Sequence, residues 1–335
     1  MHLYHPPAKL TSIPVIDFAP SLDGGDKGKR ETAEAIHRAC RETGFFYLKN
    51  HGVPQSLIDN QFEMAKRFFS LPLEERMRIS MKNSPSVAGY EAMGGQVLDS
   101  QDEKSEKAPP DLKESFYSGR ELADDHPLAM RKIRSFGHNQ WPAIDGFKEQ
   151  TNSYYETMDI FAAKILGLIA ISLDLPEDWF AKFYQPSSGL LRMIKYPPHP
   201  QHAMANQIGA GAHTDWGGVT LLAQDNAGGL EVRTASGDWI EAPPIEGTYI
   251  INLGDLTMRW TNEIYRSNMH RVKNNGGNTD RYSIPFFFNP NPDSVIETIP
   301  TCYDEANPRK FETCTAKEHL DEMFRRSFGY SSKAA

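Results

Sequence analysis

The chain has 335 residues, of which 39% are hydrophobic and 24% charged, and its formal net charge at pH 7 is −8. These proportions are ordinary for a soluble globular protein, and the length allows either two domains or one β-barrel or sandwich with added helices. The negative charge argues against a nucleic-acid partner, because such proteins normally carry a basic patch, although a local basic pocket is still allowed.

Neither the cysteines nor the apolar segments indicate export or a membrane. Cys40, Cys302 and Cys314 form no C-x-x-C pair, so they predict neither a disulfide framework nor a zinc cluster, and they fit a reducing compartment. The N-terminus lacks the cationic start and apolar run of a secretory signal. The longest apolar stretch, 160–174, is too short to span a bilayer. We therefore expect a cytoplasmic protein with no membrane partner, and its oligomeric state stays open.

Hydrophobic spacing predicts a mixed, mostly helical first half. Short strands are predicted over 13–20 and 44–54, where apolar and aromatic residues end in proline or glycine turns. Helices are predicted over 29–43 and 55–71, and one helix or two over 146–174, where apolar residues recur every three or four positions.

Residues 83–112 interrupt this pattern. The segment is polar, glycine-rich and charged, and its hydrophobic residues show no periodicity. We predict a long surface loop, and loops of this length in compact proteins are often lids or binding segments.

From residue 188 onward, short β-type runs alternate with glycine and proline turns. Examples are "VTLLAQD", "GTYIINLG" and "RYSIPFFFNP". The regular spacing of turn signals predicts an all-β sandwich or barrel. The tail over 316–329 is predicted to be helical again.

The stretch "AGAHTDWGG" places two potential metal ligands, His213 and Asp215, one residue apart between glycines. Two histidines and one carboxylate with open positions are typical of non-haem Fe(II) oxygenases, and His270 could supply the third ligand. A second H-x-D pair, His319 and Asp321, lies in a predicted helix, where residues i and i+2 point apart. The motif alone is therefore weak, and a polar turn with a structural histidine is an open alternative.

Beyond His270, an arginine and a hydroxyl could hold a carboxylate. If 281–288 is a strand, Arg281 and Ser283 point to the same face. A guanidinium fork with a hydroxyl suits a carboxylate, which could belong to a co-substrate that also chelates the metal.

Motifs across nearly the whole chain resemble the isopenicillin-N-synthase-like family of Fe(II)- and 2-oxoglutarate-dependent oxygenases. The first half contains "IPVIDF", "ACRETGFFYLKNHGVP" and "FFSLPLEERM", and the second half runs from "HTDWGGVTLLAQD" through "SNMHRVKN" to "RYSIPFFFNP". Within the family, the chain is similar to microbial small-molecule enzymes such as fungal thymine 7-hydroxylase. The resemblance implies a mainly β fold with flanking helices, built on a double-stranded β-helix (jelly roll) core with a mixed, helix-rich N-terminal part.

The resemblance also implies a division of the chain into four regions. We expect an N-terminal non-haem dioxygenase region over 1–125 and a helical support over 126–185. The Fe(II)/2-oxoglutarate jelly-roll core is expected over 186–295, and a C-terminal helical tail over 296–335.

Matched residue by residue, the family implies roles for the motif side chains. His213, Asp215 and His270 would bind the iron, and Arg281 and Ser283 would bind the far carboxylate of 2-oxoglutarate.

Tyr196, in "IKYPP", matches a tyrosine that often contacts that same carboxylate. The sequence departs here from the plant-type N-x-Y pattern, because Ile194 stands where the asparagine would be. One contact near the co-substrate is therefore lost, and a core tyrosine at a strand end is the alternative interpretation of Tyr196.

Three further residues are candidates for the substrate pocket. Trp216 directly follows the metal aspartate, and Phe287 shares the face of Arg281 if its strand is regular. Two such aromatic surfaces could sandwich a planar substrate, and plain barrel packing is the alternative. Arg192 could meet an anionic or carbonyl-bearing substrate, or could form an exposed salt bridge. Asp255, in "NLGDL", is predicted to be a turn residue.

The implied function is a dioxygenase that uses Fe(2+), 2-oxoglutarate and O2. It would hydroxylate or desaturate a C–H bond of a small-molecule substrate and release succinate and CO2. Residues 83–112 and 113–122 are candidate covers for its pocket. Four alternatives stay open: an isopenicillin-N-synthase-like oxidase in which Arg281 and Ser283 hold the substrate, an ethylene-forming enzyme that fragments 2-oxoglutarate, a non-catalytic binding protein, and a zinc hydrolase.

Overall fold

The computed structural model describes residues 11–84, 86–98, 108–133, 135–204, 206–274 and 278–328. Within this part of the chain, strands form a two-sheet core and helices cover one side of it. The strands are β1 (Val15–Asp17), β2 (Phe45–Lys49), β3 (Gly89–Glu91), β4 (Glu114–Gly119), β5 (Leu190–Tyr196), β6 (Ala210–His213), β7 (Val219–Gln224), β8 (Leu230–Arg233), β9 (Trp239–Glu241), β10 (Thr248–Leu253), β11 (His270–Val272), β12 (Arg281–Phe288), β13 (Val295–Ile296) and β14 (Cys314–Thr315). The α-helices are α1 (Ala19–Asp23), α2 (Gly25–Glu42), α3 (Gln55–Phe69), α4 (Leu73–Arg78), α5 (Pro127–Met130), α6 (Phe147–Ser172), α7 (Asp255–Trp260) and α8 (Ala316–Phe328).

The two central sheets have eight and four strands. The larger sheet has the order β1-β2-β10-β7-β12-β5-β4-β3, and the smaller sheet has the order β6-β11-β8-β9. Strands far apart in sequence are therefore neighbours, and β5, β7, β10 and β12 are joined by antiparallel pairing. This arrangement is the predicted double-stranded β-helix with flanking helices.

Side-chain alternation separates an inner from an outer core. Ile194 and Ile250 of the larger sheet pack with Leu230 and Val232 of the smaller sheet. On β12, Ile284, Phe286 and Phe288 point the other way and pack against the helices. Because successive strand residues face opposite sides, the odd-numbered positions of β12 are left to face the barrel interior.

Helix α6 is the main outer support of the larger sheet. It is one continuous helix of 26 residues, which decides between the one or two helices predicted over 146–174. The Tyr154 hydroxyl lies 3.0 Å from the Tyr249 hydroxyl of β10, so a buried hydrogen bond ties this helix to the sheet. In the described residues, no helix is both long and apolar enough to cross a membrane.

The predicted loop over 83–112 is more ordered than its polarity indicates. Its described part contains β3, which pairs with β4 at the edge of the larger sheet, and it buries Leu98 and Leu112. The prediction of an irregular loop was wrong for β3, because a three-residue edge strand is too short to show a period of two. Position 85 and residues 99–107 lie outside the described residues.

Helix α6 offers a matched pair of isoleucines for a test of the outer core. Ile165 is fully buried at 0% exposure, whereas Ile160 is 61% exposed. We expect Ile165→Ala to lower the free energy of unfolding by about 2–5 kcal/mol, because it leaves a cavity. Ile160→Ala should change it little. Urea denaturation of both variants checks this, and equal losses would contradict the assigned packing.

Candidate metal centre and co-substrate pocket

Strand pairing brings the two histidines of the candidate triad together. β6 and β11 are antiparallel neighbours, and His213 lies directly across from His270 in their register. The ring centroids are 4.2 Å apart, and His270 Nε2 lies 3.8 Å from Asp215 Oδ1. One potential ligand atom from each of the three residues lies within 4.8 Å of the others. The structure therefore assembles a set that can hold one metal ion.

Backbone carbonyls orient both imidazole rings. His213 Nδ1 donates to the Gly211 carbonyl at 2.7 Å, and His270 Nδ1 donates to the Asn268 carbonyl at 3.3 Å. Because a carbonyl only accepts, Nδ1 carries the proton in each ring, and the Nε2 lone pair is available to a metal. Burial and the nearby charge of His270 lower the pKa of His213, which favours the neutral ring that binds a metal.

The larger sheet fixes the carboxylate of Asp215. Thr220 Oγ1 and Asn252 Nδ2 donate to its Oδ2 at 2.6 Å and 2.7 Å. These two donors lie opposite each other in the register of β7 and β10. Burial acts to raise the pKa of Asp215, but the two histidine charges and these hydrogen bonds lower it below its ordinary value. Oδ2 is thus occupied, and Oδ1 is the oxygen nearer to His270.

Close backbone packing holds the turn that carries Asp215. A Cβ at Gly217 would lie 1.7 Å from Asn289 Oδ1, so a larger residue there would displace the side-chain amide that accepts a hydrogen bond from Gly218 N at 3.1 Å. Asp255 N donates to the Asp215 carbonyl at 2.8 Å, and Thr214 Oγ1 donates to Asp255 Oδ2 at 2.9 Å. The prediction of Asp255 as a turn residue was wrong, because it is buried at the start of α7 and supports the metal turn.

A buried guanidinium lies further along the same interior. Arg281 Nη2 donates to Gln224 Oε1 at 3.2 Å, and the guanidinium lies over the Tyr196 ring at 4.8 Å. Its Nε and Nη1 are buried and have no hydrogen-bond partner among the described residues. Ser283, also buried, faces Gln224 in the β12–β7 register. A buried guanidinium with unpaired N–H donors fits a carboxylate, which accepts charge-assisted hydrogen bonds.

Arg192 is buried, unlike the exposed salt bridge that the sequence left open. Its Nη2 donates to Glu91 Oε2 at 3.0 Å and to Gln96 Oε1 at 3.1 Å, and its Nε donates to Ser115 Oγ at 3.0 Å. The guanidinium also lies over the Tyr117 ring at 4.6 Å. The alternative of a solvent-exposed pair is therefore wrong, and this charge belongs to the barrel interior.

The two candidate aromatics lie near the metal end of the barrel. Phe287 is half-buried and lies across from Thr220 in the β12–β7 register. Trp216 is half-buried, and its carbonyl accepts hydrogen bonds from Leu256 N at 3.2 Å and His319 Nε2 at 2.9 Å. His319, from the second H-x-D pair, lies in α8 and is not one of the three clustered ligands.

Several supporting residues were missed by the sequence interpretation. Thr220, Asn252 and Gln224 orient the candidate ligands, yet each lies in a strand where it looks like an ordinary polar position. A weak signal was present, because polar residues at inward positions of apolar strands such as "TYIINL" break the expected alternation. Their partners lie 5, 37 and 57 residues away in sequence, so the pattern alone could not assign them.

The donor set fits an Fe(II) ion with 2-oxoglutarate. Two neutral imidazoles and one carboxylate grouped together leave positions open for a chelating co-substrate. The unpaired Nε and Nη1 of Arg281 supply the complementary site for a far carboxylate.

Comparisons with known proteins agree with this geometry. Residues 13–144 match the family described as non-haem dioxygenase in morphine synthesis N-terminal. Residues 187–290 match the 2OG-Fe(II) oxygenase superfamily.

The chain is similar along nearly all its length to several relatives. It is 36% identical to a 2-oxoglutarate-Fe(II) type oxidoreductase of Emericella nidulans, over 95% of this chain and 91% of that protein. The thymine 7-hydroxylase of Neurospora crassa, solved in complex with alpha-KG and thymine, superposes with a TM-score of 0.82 at 32% identity, covering 95% of this chain and 97% of that one. A 2OG-Fe(II) oxygenase family protein from Caulobacter crescentus gives a TM-score of 0.81 at 31% identity, covering 94% and 99%. The chain therefore belongs to the 2OG-Fe(II) oxygenase superfamily and is, as the sequence predicted, a non-haem dioxygenase that uses Fe(2+), 2-oxoglutarate and O2.

Proposed function

We propose that His213, Asp215 and His270 hold the iron, and that Arg281 and Ser283 bind the far carboxylate of 2-oxoglutarate. The observation that carries this proposal is the pairing of two features in one barrel interior: the clustered ligand atoms and a buried guanidinium with two unpartnered nitrogens. Tyr196 stacks on that guanidinium and completes the carboxylate site.

The chain's own residues prepare the reaction by fixing atoms in place. When bound, iron and 2-oxoglutarate supply the oxidising chemistry, with succinate and CO2 as co-products. Thr220 and Asn252 hold one oxygen of Asp215 so that the other faces the histidines. Gln224 holds one nitrogen of Arg281. Because these groups are positioned before the ligands arrive, little reorganisation is needed during the reaction.

The substrate is proposed to be a small planar molecule held between Trp216 and Phe287, with Arg192 as a polar contact. Phe287 lies next to the metal-supporting Thr220 in the sheet register, which supports a role close to the iron. The structure of the Neurospora relative contains thymine, a flat ring. Hydroxylation or desaturation of a C–H bond of such a ring substituent fits this arrangement.

Part of the 83–112 segment is proposed to cover this pocket. Gln96 Oε1 accepts a hydrogen bond from Arg192 at 3.1 Å, and the Tyr117 hydroxyl donates to Glu91 Oε2 at 2.8 Å. The segment is therefore attached to pocket residues at two points, which would help to exclude water.

We also infer that the enzyme works in the cytoplasm on a small molecule, without a nucleic-acid partner. The three cysteines are free thiols, and Cys40 and Cys302 are buried. The net charge of −8 disfavours binding to a phosphate backbone.

Anaerobic loading with Fe(II) and 2-oxoglutarate tests the assigned roles. We expect a weak visible metal-to-ligand charge-transfer band in the wild type, no band in His213→Ala, and a band that needs more 2-oxoglutarate to form in Arg281→Ala. Optical titration measures all three. Succinate release on turnover would exclude the oxidase alternative. Bound iron without a band would favour the oxidase alternative, in which Arg281 binds the substrate and not 2-oxoglutarate.

A threonine pair tests the support of the metal carboxylate. Thr220 Oγ1 donates to Asp215 Oδ2, whereas Thr248 Oγ1 donates to the Ile245 carbonyl at 2.7 Å, in a turn at the other end of β10. We expect Thr220→Val to raise the Kd for Fe(II) by about 10–100-fold, since groups that orient metal ligands have effects of this size. Thr248→Val should leave it unchanged. An unchanged Fe(II) Kd in Thr220→Val, measured by anaerobic titration, would contradict the assignment.

An aromatic substitution tests the planar pocket. Phe287→Leu keeps an apolar side chain but removes the flat surface, so we expect the KM for any planar substrate to rise about tenfold, the size of a lost stacking contact. The KM for 2-oxoglutarate should not change, because Arg281 is untouched. If the KM for 2-oxoglutarate rises instead, Phe287 contacts the co-substrate, and its assignment to the substrate pocket is wrong.

A further inference from the structure

A second cluster of charged side chains lies in the barrel, and the proposed function uses one member of it, Arg192, but not Lys113. Lys113 is paired with Asp111, and Arg192 is paired with Glu91. The side chains of Lys113 and Asp111 are only 2% and 3% exposed. A fully buried lysine is rare in proteins unless it is paired, and Asp111 is the partner of Lys113.

Lys113 is held firmly in place. Asp111 Oδ2 accepts a hydrogen bond from Lys113 Nζ, and Asp111 Oδ1 accepts one from Gly211 N at 2.9 Å. Backbone hydrogen bonds of 3.0 Å to Gln96 and 2.9 Å to Ile208 fix residues 111 and 112. Gly211 lies on β6, two residues before His213, so the lysine is anchored to the strand that carries the first metal ligand.

The ammonium interacts electrostatically with both His213 and Arg192. Its positive charge contributes to the lowered pKa of His213. Burial lowers the pKa of Lys113 to about 8, with a further contribution from the charge of Arg192 and against the opposing charge of Asp111. At pH 7 the group is therefore still a cation, and it lies within electrostatic reach of both neighbours.

The Lys113 ammonium has more N–H donors than the described residues accept. An ammonium has three N–H donors, and within the described residues Lys113 Nζ makes one hydrogen bond, to Asp111. Asp111 uses both of its oxygens, for Lys113 and Gly211. Glu91 Oε2 already accepts from Arg192 and Tyr117. Buried donors without acceptors are costly, so the cluster is complementary to an acceptor-rich group.

We propose that Lys113 and Arg192 form an anion subsite, and that the planar substrate carries a carboxylate that binds there. This inference rests on the proposed function, since it concerns the substrate of the same barrel. The carboxylate would accept the spare N–H donors of Lys113 and keep the rest of the ring towards the iron. Asp111 is a positioning residue, because it sets the direction of the ammonium without facing the substrate itself.

Matched acids and amides test this subsite in the complete enzyme. The probes are benzoate, 2-naphthoate and indole-2-carboxylate, each beside its primary amide, which has nearly the same shape but no charge. Binding is measured anaerobically with Fe(II) and saturating 2-oxoglutarate, by calorimetry and by the change in the charge-transfer band. We expect at least one acid to bind the wild type about tenfold more tightly than its amide, as a charged hydrogen bond implies.

Three variants test which side chain causes the preference for the acid over its amide. Lys113→Met should reduce the acid-to-amide ratio to about one, and Asp111→Asn/Lys113→Met should do the same while removing the buried pair as a unit. Lys195→Met is the matched control, because Lys195 lies on β5 with Arg192 but pairs with Glu114 and Asp280 at 3.4 Å each. It should keep the wild-type ratio. The Kd for 2-oxoglutarate should be unchanged in all three.

The outcomes separate this inference from the proposed function. An acid preference that disappears with Lys113 and survives in Lys195→Met supports the subsite. No acid preference in the wild type overturns it even if no variant folds, and so does a preference that persists without Lys113. Failure of the Fe(II) and 2-oxoglutarate band in the wild type would instead refute the proposed function, which the calorimetric ratio does not measure.

Discussion

The antiparallel pairing of β6 with β11 is the constraint on which the candidate site depends. It places His213 directly across from His270, although the two residues are far apart in the chain. Because side chains alternate along a strand, a slip of one residue would turn one imidazole away from the other. The third ligand residue, Asp215, lies in the turn directly after β6. That turn is held by Gly217 and by the backbone hydrogen bond from Asp255.

The two sheets contribute different functional side chains to the barrel interior. The smaller sheet carries both histidines, whereas the larger sheet carries the donors that orient Asp215 and the guanidinium of Arg281. The unpaired nitrogens of Arg281 are costly in the folded protein without a ligand. A bound carboxylate offsets that cost, and any ligand that binds only the folded state adds stability by mass action. If the co-substrate binds there as proposed, its binding and folding stability are linked through this one side chain.

Sequence patterns predicted the long helices and strands, but they missed a short strand and the contacts between residues far apart in the chain. Periodicity identified α2, α6 and the strand character of β12, because each is long enough to show its period. The strand β3 was hidden, since three residues in a polar segment have no visible alternation. The three residues that the sequence offered as ligands lie together, and their role as iron ligands stays a prediction, whereas the burial of Arg192 with Glu91 was not foreseen. That pair joins residues 101 apart, and no single-sequence pattern encodes which distant acid meets which base.

Strand β7 sets the distance between the candidate metal ligand Asp215 and the guanidinium of Arg281. Thr220, near its start, holds Asp215, and Gln224, at its end, holds Arg281. Four residues of extended chain span about 13 Å, which leaves room for a five-carbon diacid between a metal and a guanidinium. Phe287 lies across from Thr220 and therefore at the metal end, away from Arg281. If Arg281 binds 2-oxoglutarate as proposed, the position of a side chain along β7 and β12 determines whether it faces the co-substrate or the substrate, and an inward substitution at the metal end would alter substrate choice without disturbing 2-oxoglutarate.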